Sequence, residues 1–549
     1  MNYYRYKKGY QPIPKFNRTW PDKEITKAPK WCSVDLRDGN QALITPMNLE
    51  EKLKFFDFLV KLGFKEIEVG FPAASETEFT FVRKLIDDNL IPLDVTIQVL
   101  TQSRPHIIEK TVEAVRGAKN VIIHLYNSTS PLQREVVFGM TKEEVIKLAE
   151  DGARLLLELT KDIKDNVRFE YSPESFTGTE VEFAAEICNR VLDIWKPTKD
   201  KKAIINLPAT IEVSTPNIYA DQIEYMCQNL KYRDCIEVSL HTHNDRGCAV
   251  AASELGLLAG ADRIEGTLFG NGERTGNADI LTIALNMFSQ GIDPGLELSN
   301  ITEIVQIYEE VTKFKVHPRQ PYAGELVYTA FSGSHQDAIK KSLDKMEKEK
   351  SPYWENPYLP IDPKDLGREY EPIRINSQSG KGGIMYVLKY KFGMTVPKNL
   401  AQEFSYIITS ISDKLNRELT HNEIYEAFCE NYVNLTTRFE LLKYKLTTSE
   451  DVTQTTASVK ILGKEVEISG KGNGPIEAFV NALRNAGLSF DITLYEEHAL
   501  TEGAGSKACA YMGIKDEEGN ISYGVGIHEN IGKASCLALI SALNRSKIK

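Results

Sequence analysis

The sequence predicts an α/β protein that begins with a (β/α)8 barrel of the TIM type, continues through mainly helical linker subdomains and ends in a C-terminal α+β domain with a ββα internal repeat. Three observations carry that prediction. Between Trp31 and Gln290 a short β-type run alternates with a longer helical pattern eight times, within about 260 residues. Polar and ionisable residues gather just beyond the apolar runs, where such a barrel carries its chemistry. The last stretch, about one hundred residues, holds one strand-turn-strand-loop-helix pattern twice. A doubly wound open sheet is the rival, but eight nearly equal units without a dinucleotide fingerprint in the first turn count against it.

A chain of 549 residues is too long for one core. The boundaries read from it are an N-terminal arm (1–30), the barrel (31–318), linker subdomains (319–445) and a C-terminal domain (446–549). A formal charge of −11 excludes a dedicated nucleic-acid binder, which needs a basic face to displace counterions. No run approaches the roughly 18 apolar residues of a membrane span, so no membrane partner is expected. Eight cysteines without a CxxC pair read as reduced thiols of a cytoplasmic protein. The arm is basic, from Arg5 to Lys30, but lacks the apolar centre of a signal peptide, and Asp22 and Glu24 fit a transit peptide poorly. It is expected to pack on the domain or on a partner subunit.

The strand candidates, in order, are 32–35, 66–70, 95–100, 121–126, 167–171, 203–207, 236–241 and 263–269. Helix signals separate them. In the first, Asn48 is the N-cap with Glu51 three residues on, and Leu49, Leu53, Phe56 and Val60 form a stripe that Gly63 stops. Beyond Pro318 the rhythm breaks into a charged helical stretch, then prolines at 357, 360, 363 and 372. Ser379–Gly383 lacks the spacing of a phosphate loop and reads as a turn. Residues 399–444 read as mostly helical. Within the C-terminal repeat, Tyr495 to His498 fall between the two units.

The chemistry centres on His241 and His243, which follow an apolar run and share one strand face because side chains alternate. With a carboxylate from elsewhere they make a two-His, one-carboxylate site with positions open for substrate oxygens. Asp38, otherwise a turn residue before Gly39, is the candidate third ligand, and Arg37 beside it can stabilise a developing alkoxide. Asn277 reads as the N-cap of a helix beginning at Ala278, a role compatible with a side-chain oxygen on or close to the metal. Glu174, His124, Ser172 and Thr210 each have a bland reading as loop polar groups. Convergence on one barrel face is what makes them candidates.

The motifs Asp35–Gln41 (DLRDGNQ), Ser172–Phe176 (SPESF), His241–Asp245 (HTHND) and Gly270–Asn277 (GNGERTGN) resemble those of the metal-dependent acyl-CoA Claisen condensation enzymes built on TIM barrels. Including Phe331–Asp337, Pro357–Pro360 and the C-terminal repeat, the chain is similar over nearly its whole length to the longer form of the 2-isopropylmalate synthase family. The resemblance implies condensation of acetyl-CoA with 3-methyl-2-oxobutanoate and thioester hydrolysis, in leucine synthesis, by a homodimer with leucine as effector. It implies Asp38, His241 and His243 as ligands of a divalent metal, Mg2+ first with Mn2+ or Zn2+ as alternatives, and Asn277 as the associated asparagine. It makes Arg37 the carbonyl-polarising group and puts His124, Ser172, Glu174 and Thr210 on the 2-oxo acid. His335 and Tyr358 match groups that reach a partner subunit's site and assist deprotonation or hydrolysis. Asn40 stands where many relatives carry glutamate, which fits the longer subgroup. The competing readings are citramalate or homocitrate synthase, or a catalytically silent leucine sensor.

Overall fold

The computed structural model describes residues 14, 16–163, 166–330, 332–370, 381–415, 419–449, 452–501 and 505–548. Arg5, Lys7, Lys8 and Lys15 of the arm, and Ser379 and Gly380 of the glycine-rich stretch, lie outside the described residues, while Lys381 to Gly383 of that stretch open a helix rather than a turn. The chain divides into two compact units, Met1–Val327 with Pro363–Arg368, and Tyr328–Asp362 with Glu369–Lys549.

The first unit is a closed parallel barrel with its eight strands in sequence order. They are β1 (Lys30–Ser33), β2 (Glu66–Gly70), β3 (Thr96–Gln102), β4 (Asn120–Ser128), β5 (Asn166–Glu174), β6 (Ala203–Ala209), β7 (Ile236–Thr242) and β8 (Arg263–Gly266). Between and after them run α1 (Leu49–Lys61), α2 (Glu76–Asp87), α3 (Pro105–Val115), α4 (Lys142–Thr160), α5 (Val181–Trp195), α6 (Pro216–Asn229), α7 (Ala249–Leu258) and α8 (Ile280–Phe288), then α9 (Ile301–Thr312). Closure pairs β1 with β8, from Lys30 opposite Arg263 to Ser33 opposite Gly266. The arm segment from Arg18 lies on α6, where Asp221 receives both Arg18 (2.6 Å) and the Trp20 indole (2.9 Å).

Asn48 caps α1 in a reciprocal capping box with Glu51. The buried stripe is displaced from the expected one: Phe55, Phe56, Phe58 and Leu59 go inside, and so does Lys52, because Glu78 supplies the counter-charge its ammonium needs. Strand β8 ends at Gly266 rather than Phe269, which takes a left-handed conformation (φ 57°) in a single helical turn. The N-cap of α8 is Asp279, not Asn277. Asp279 Oδ1 accepts from Thr282 N (3.3 Å), so the helix starts two residues later than expected.

The barrel axis is polar. Arg263 on β8 donates to Glu66 (2.5 Å), Gln98 (2.7 Å), Ser239 (2.8 Å) and Glu265 (2.9 Å), and Arg168 on β5 joins Glu66 (3.1 Å) to Glu237 (2.6 Å). Contacts between non-adjacent strands such as β8 and β3 run through the interior, so these alternate side chains face inward. Their aliphatic neighbours face the helices.

In the second unit, among the described residues, four helices, α10 (Gly333–Glu349), α11 (Lys381–Phe392), α12 (Lys398–Leu415) and α13 (His421–Tyr432), precede the C-terminal domain. That domain repeats a βββα unit: β9 (Phe439–Ser449), β10 (Val452–Ile461), β11 (Lys464–Gly472) and α14 (Pro475–Asn485), then β12 (Asp491–Ala499), β13 (Ala508–Lys515), β14 (Ile521–His528) and α15 (Ile531–Arg545). The expected pairs β10-β11-α14 and β13-β14-α15 are present, and each gains an edge strand in front. Residues 439–444 are therefore strand rather than helix, and Tyr495 to His498 lie on β12 rather than between units. On β13, Ala508, Ala510, Met512 and Ile514 face a core with α15, while Cys509 and Tyr511 pack into a second core with α11 to α13.

The two βββα repeats share a packing device. Gly470 and Gly472 on β11 lie against Ala478 and Ala482 of α14, and Gly524 and Gly526 on β14 lie against Ala534, Ala538 and Ala542 of α15. A Cβ on Gly470 would sit 2.3 Å from Ala482 N, and one on Gly524 would sit 2.1 Å from Ala542 N. Gly470→Ala and Gly524→Ala should each lower stability by about 1–3 kcal/mol in thermal unfolding. Gly505→Ala, whose Cβ meets nothing within 4 Å, should change it by less than about 0.5 kcal/mol. Equal effects from all three would refute the close-packing account.

Candidate active site

Strand β1 runs into one turn of π-helix, Asp35–Gly39, which buries Asp38 at the barrel mouth. Asp35 fixes that turn by accepting from Ser33 Oγ (2.8 Å) and from Leu268 N (3.1 Å) of the loop after β8. His241, within β7, and His243, just past its end, keep to one face as alternation requires, with ring centroids 5.2 Å apart. His241 Nε2 lies 3.1 Å and His243 Nε2 3.7 Å from Asp38 Oδ2. All three ligand atoms lie within 4.8 Å of one another. Ligand atoms about 2.1 Å from a shared ion stand about 3–4 Å apart, so this cluster fits a divalent-metal site.

A further oxygen points the same way. Asn277 forms an isolated antiparallel bridge with His243, which puts the two side chains on one face. Its Nδ2 donates to Asn271 O (2.9 Å), leaving a buried Oδ1 without a hydrogen-bond partner. Gly276, at φ +99°, makes this loop possible, since a Cβ there would sit 1.9 Å from Gly270 O.

Around the cluster runs a closed ring of polar contacts. His241 Nδ1 lies 2.8 Å from Glu265, which accepts from Asn206 (3.2 Å), which donates to Ser172 Oγ (3.0 Å). Ser172 Oγ meets His124 Nε2 at 2.6 Å, and His124 Nδ1 meets Glu68 at 3.1 Å. Arg37 then donates to Glu68 (2.5 Å) and lies 3.4 Å from Asp38, closing the ring. Gln98 spans it, donating to Glu265 (2.7 Å) and Glu68 (3.2 Å).

The charges follow from these contacts. Burial alone would raise the Asp38 carboxyl, but Arg37 and His241 hold it well below the usual carboxylate range. Burial likewise opposes the charge on Arg37, and the Glu68 and Asp38 carboxylates overcome it. Burial disfavours the charged His241 imidazole, yet its hydrogen bonds to Asp38 and Glu265 lift it to about 9. Burial, then the neighbouring His241, push His243 down to about 4. The space between Asp38 and Glu265 thus favours positive charge, and His243 keeps a neutral ring with a lone pair to give.

A cavity of about 280 Å³ opens over the cluster. The predicted barrel residues Arg37, Asp38, His241 and His243 line it together with His124, Ser172, Glu174 and Thr210. Glu174 is anchored by Ser128, and Thr210 Oγ1 accepts from Ser175 N (2.9 Å). Asn277 is held beside His243 rather than on the cavity wall. His335 and Tyr358 belong to the second unit, where their exposed rings stack at 4.0 Å. Sequence reasoning missed Glu68, Gln98, Asn206 and Glu265, and the rim group Arg274, which pairs with Asp245 (2.7 Å). The signal was present in β2, β5 and β8, where charged residues recur at i and i+2 inside aliphatic runs and mark the inward face.

Residues 28–307 match the HMGL-like family, 325–389 the alpha-isopropylmalate synthase post-catalytic domain-like family, and 418–547 the LeuA allosteric (dimerisation) domain. A 2-isopropylmalate synthase of Acetoanaerobium sticklandii is 57% identical over 551 residues, covering 99% of this chain and 97% of its own. The chain belongs to the 2-isopropylmalate synthase family. The member from Clostridium acetobutylicum is 55% identical over 562 residues, with 100% of both chains covered. Among solved structures, an HMG-CoA lyase from Brucella melitensis aligns with a TM-score of 0.42 at 16% identity, over 53% of this chain and 100% of that one. As a member of the 2-isopropylmalate synthase family the chain is an enzyme, and its C-terminal domain is of a dimerising type. Among the described residues no helix is long and apolar enough to cross a membrane.

The interior network sets a stability test. Arg263→Met would leave Glu66 and Glu265 buried without their shared cation, and should cost about 3–5 kcal/mol in chemical denaturation. A loss below about 1 kcal/mol would show that the network does not hold the barrel.

Proposed function

We propose that this chain condenses acetyl-CoA with 3-methyl-2-oxobutanoate and hydrolyses the thioester, giving 2-isopropylmalate and CoA in the first committed step of leucine synthesis. The observation that carries the reading is the meeting of Asp38, His241 and His243 under Arg37 in one mouth, in a chain of this family. We assign a divalent ion to those three residues, with Asn277 as the associated oxygen donor. Mg2+ is the first choice, and Mn2+ and Zn2+ suit the same set. When bound, the ion supplies Lewis acidity that polarises the ketone of the 2-oxo acid.

The chain's own residues do the rest. Arg37, clamped by Glu68, is already oriented toward the mouth and stabilises negative charge developing on the ketone oxygen at little reorganisation cost. Ser172, His124 and Thr210 hold the polar end of the 2-oxo acid, and Glu174 is fixed by Ser128 at the same wall. Phe71, Leu100 and Pro208 give the cavity an apolar side suited to a branched alkyl group. The thioester methyl is a poor acid and needs a base held close. We assign His335, stacked on Tyr358, to deprotonation or hydrolysis in a partner subunit's site.

The match of residues 418–547 to an allosteric, dimerising domain supports a homodimer with leucine as feedback effector. The eight free cysteines suit the reducing cytoplasm.

A thiol assay of CoA release with a panel of 2-oxo acids tests the assignment. Turnover should be highest with 3-methyl-2-oxobutanoate, lower with pyruvate by about 10-fold or more, since each methylene lost from an apolar pocket is worth about 1–3 kcal/mol. Preference for pyruvate or 2-oxoglutarate would move the reading to citramalate or homocitrate synthase.

A further inference from the structure

Below the ring just described, Glu170 on β5 is wholly buried and does not touch the cavity. Its surroundings suit an acid better than an anion. The charged and titratable groups facing it are Glu68 from β2, His124 from β4, and Arg263 and Glu265 from β8. Arg263 spends its short contacts on Glu66 (2.5 Å) and Glu265 (2.9 Å) and approaches Glu170 only to 3.4 Å. His124 lies 3.4 Å away, but its Nδ1 faces Glu68 at 3.1 Å and its Nε2 meets the Ser172 hydroxyl.

Both Glu170 oxygens are therefore left without a hydrogen-bond donor. A buried carboxylate needs several donors, whereas a carboxylic acid needs one acceptor, and an oxygen of Glu265 lies within 4.8 Å of one of Glu170. We infer that Glu170 is a positioning residue held as a neutral carboxylic acid, whose O–H adds a fifth donor to Glu265, beside its four short contacts of which Asn206 at 3.2 Å is the longest, and so steadies the carboxylate that orients His241. Burial, then the Glu265 charge, push the Glu170 carboxyl well above its ordinary range. The rival occupant of the same space is a cation, because His124, Glu170 and Glu265 also bring three ligand atoms within 4.8 Å. Arg263 already supplies a positive charge there, which argues for the proton.

The test compares full-length Glu170→Gln, which keeps a neutral side chain with a donor, and Glu170→Met, which has neither donor nor acceptor oxygen. Infrared spectra of protein labelled with 13C at the glutamate carboxyl should show a protonated-acid C=O band persisting above the usual carboxylate range. The band should be absent from Glu170→Gln. The kinetic arm rests on the activity proposed above, while the infrared band and a metal count are read without turnover. In kinetics, Glu170→Gln should stay within about three-fold of the parent kcat/KM with an unshifted pH profile. Glu170→Met should lose about 10–100-fold. No acid band, together with equal losses in both variants, would overturn the inference. So would a second divalent ion per chain by elemental analysis that disappears in Glu170→Gln, which would make the cluster a metal site. If Glu170→Met does not fold, the band and the Glu170→Gln profile decide.

Discussion

The barrel mouth depends on one buried carboxylate, Glu265, and the four donors it collects from four strands: Gln98, Asn206, His241 and Arg263. A charge with no access to solvent is costly unless it is both paired and hydrogen-bonded, and here each condition is met by a different strand. The result is a register lock. If one strand slipped by a residue, its donor would turn outward to the helices and leave Glu265 short. The same contact sets the orientation of His241, because a ring whose Nδ1 is held by a carboxylate presents Nε2 in one direction only. Through Arg263 the lock extends to Glu66, and through Arg168 to Glu237, so the floor and the foot of the barrel form one connected system.

That arrangement also holds the loop residues of the site in place. Asp38 comes from a π-turn pinned by Asp35, and Arg37 is clamped between Asp38 and Glu68 before any substrate arrives. The charges that would act on a polarised ketone are therefore in place in the folded chain. Such preorganisation is what makes an electrostatic site effective, since the cost of orienting its dipoles is met in folding.

Much of this was legible from the residues. Strand β2 falls at 66–70 as read, the capping box at Asn48 is present, and the two histidines share a face because strand alternation leaves no choice. What escaped notice has physical reasons. Strands β9 and β12 are edges of their sheets, and β12 buries almost nothing, so neither carries a clean apolar alternation. The interior carboxylates Glu66, Glu68, Glu170 and Glu265 are hidden in the sequence because they lie inside runs that look simply apolar. Asn277 reads as a helix cap because Asp279, two residues on, is an equally good capping residue with the negative charge that suits a helix N-terminus, and it takes the role. The glycine-alanine contacts that duplicate the C-terminal unit were visible as small residues, but their pairing across strand and helix required the fold.

The central claim is that Asp38, His241 and His243 hold one divalent ion. Crystals of the protein soaked with Mn2+ and measured at the manganese edge test it directly. The account predicts an anomalous peak about 2.0–2.3 Å from Asp38 Oδ2 and from one ring nitrogen each of His241 and His243. A map with no peak there, or with its only peak among His124, Glu170 and Glu265, would contradict it.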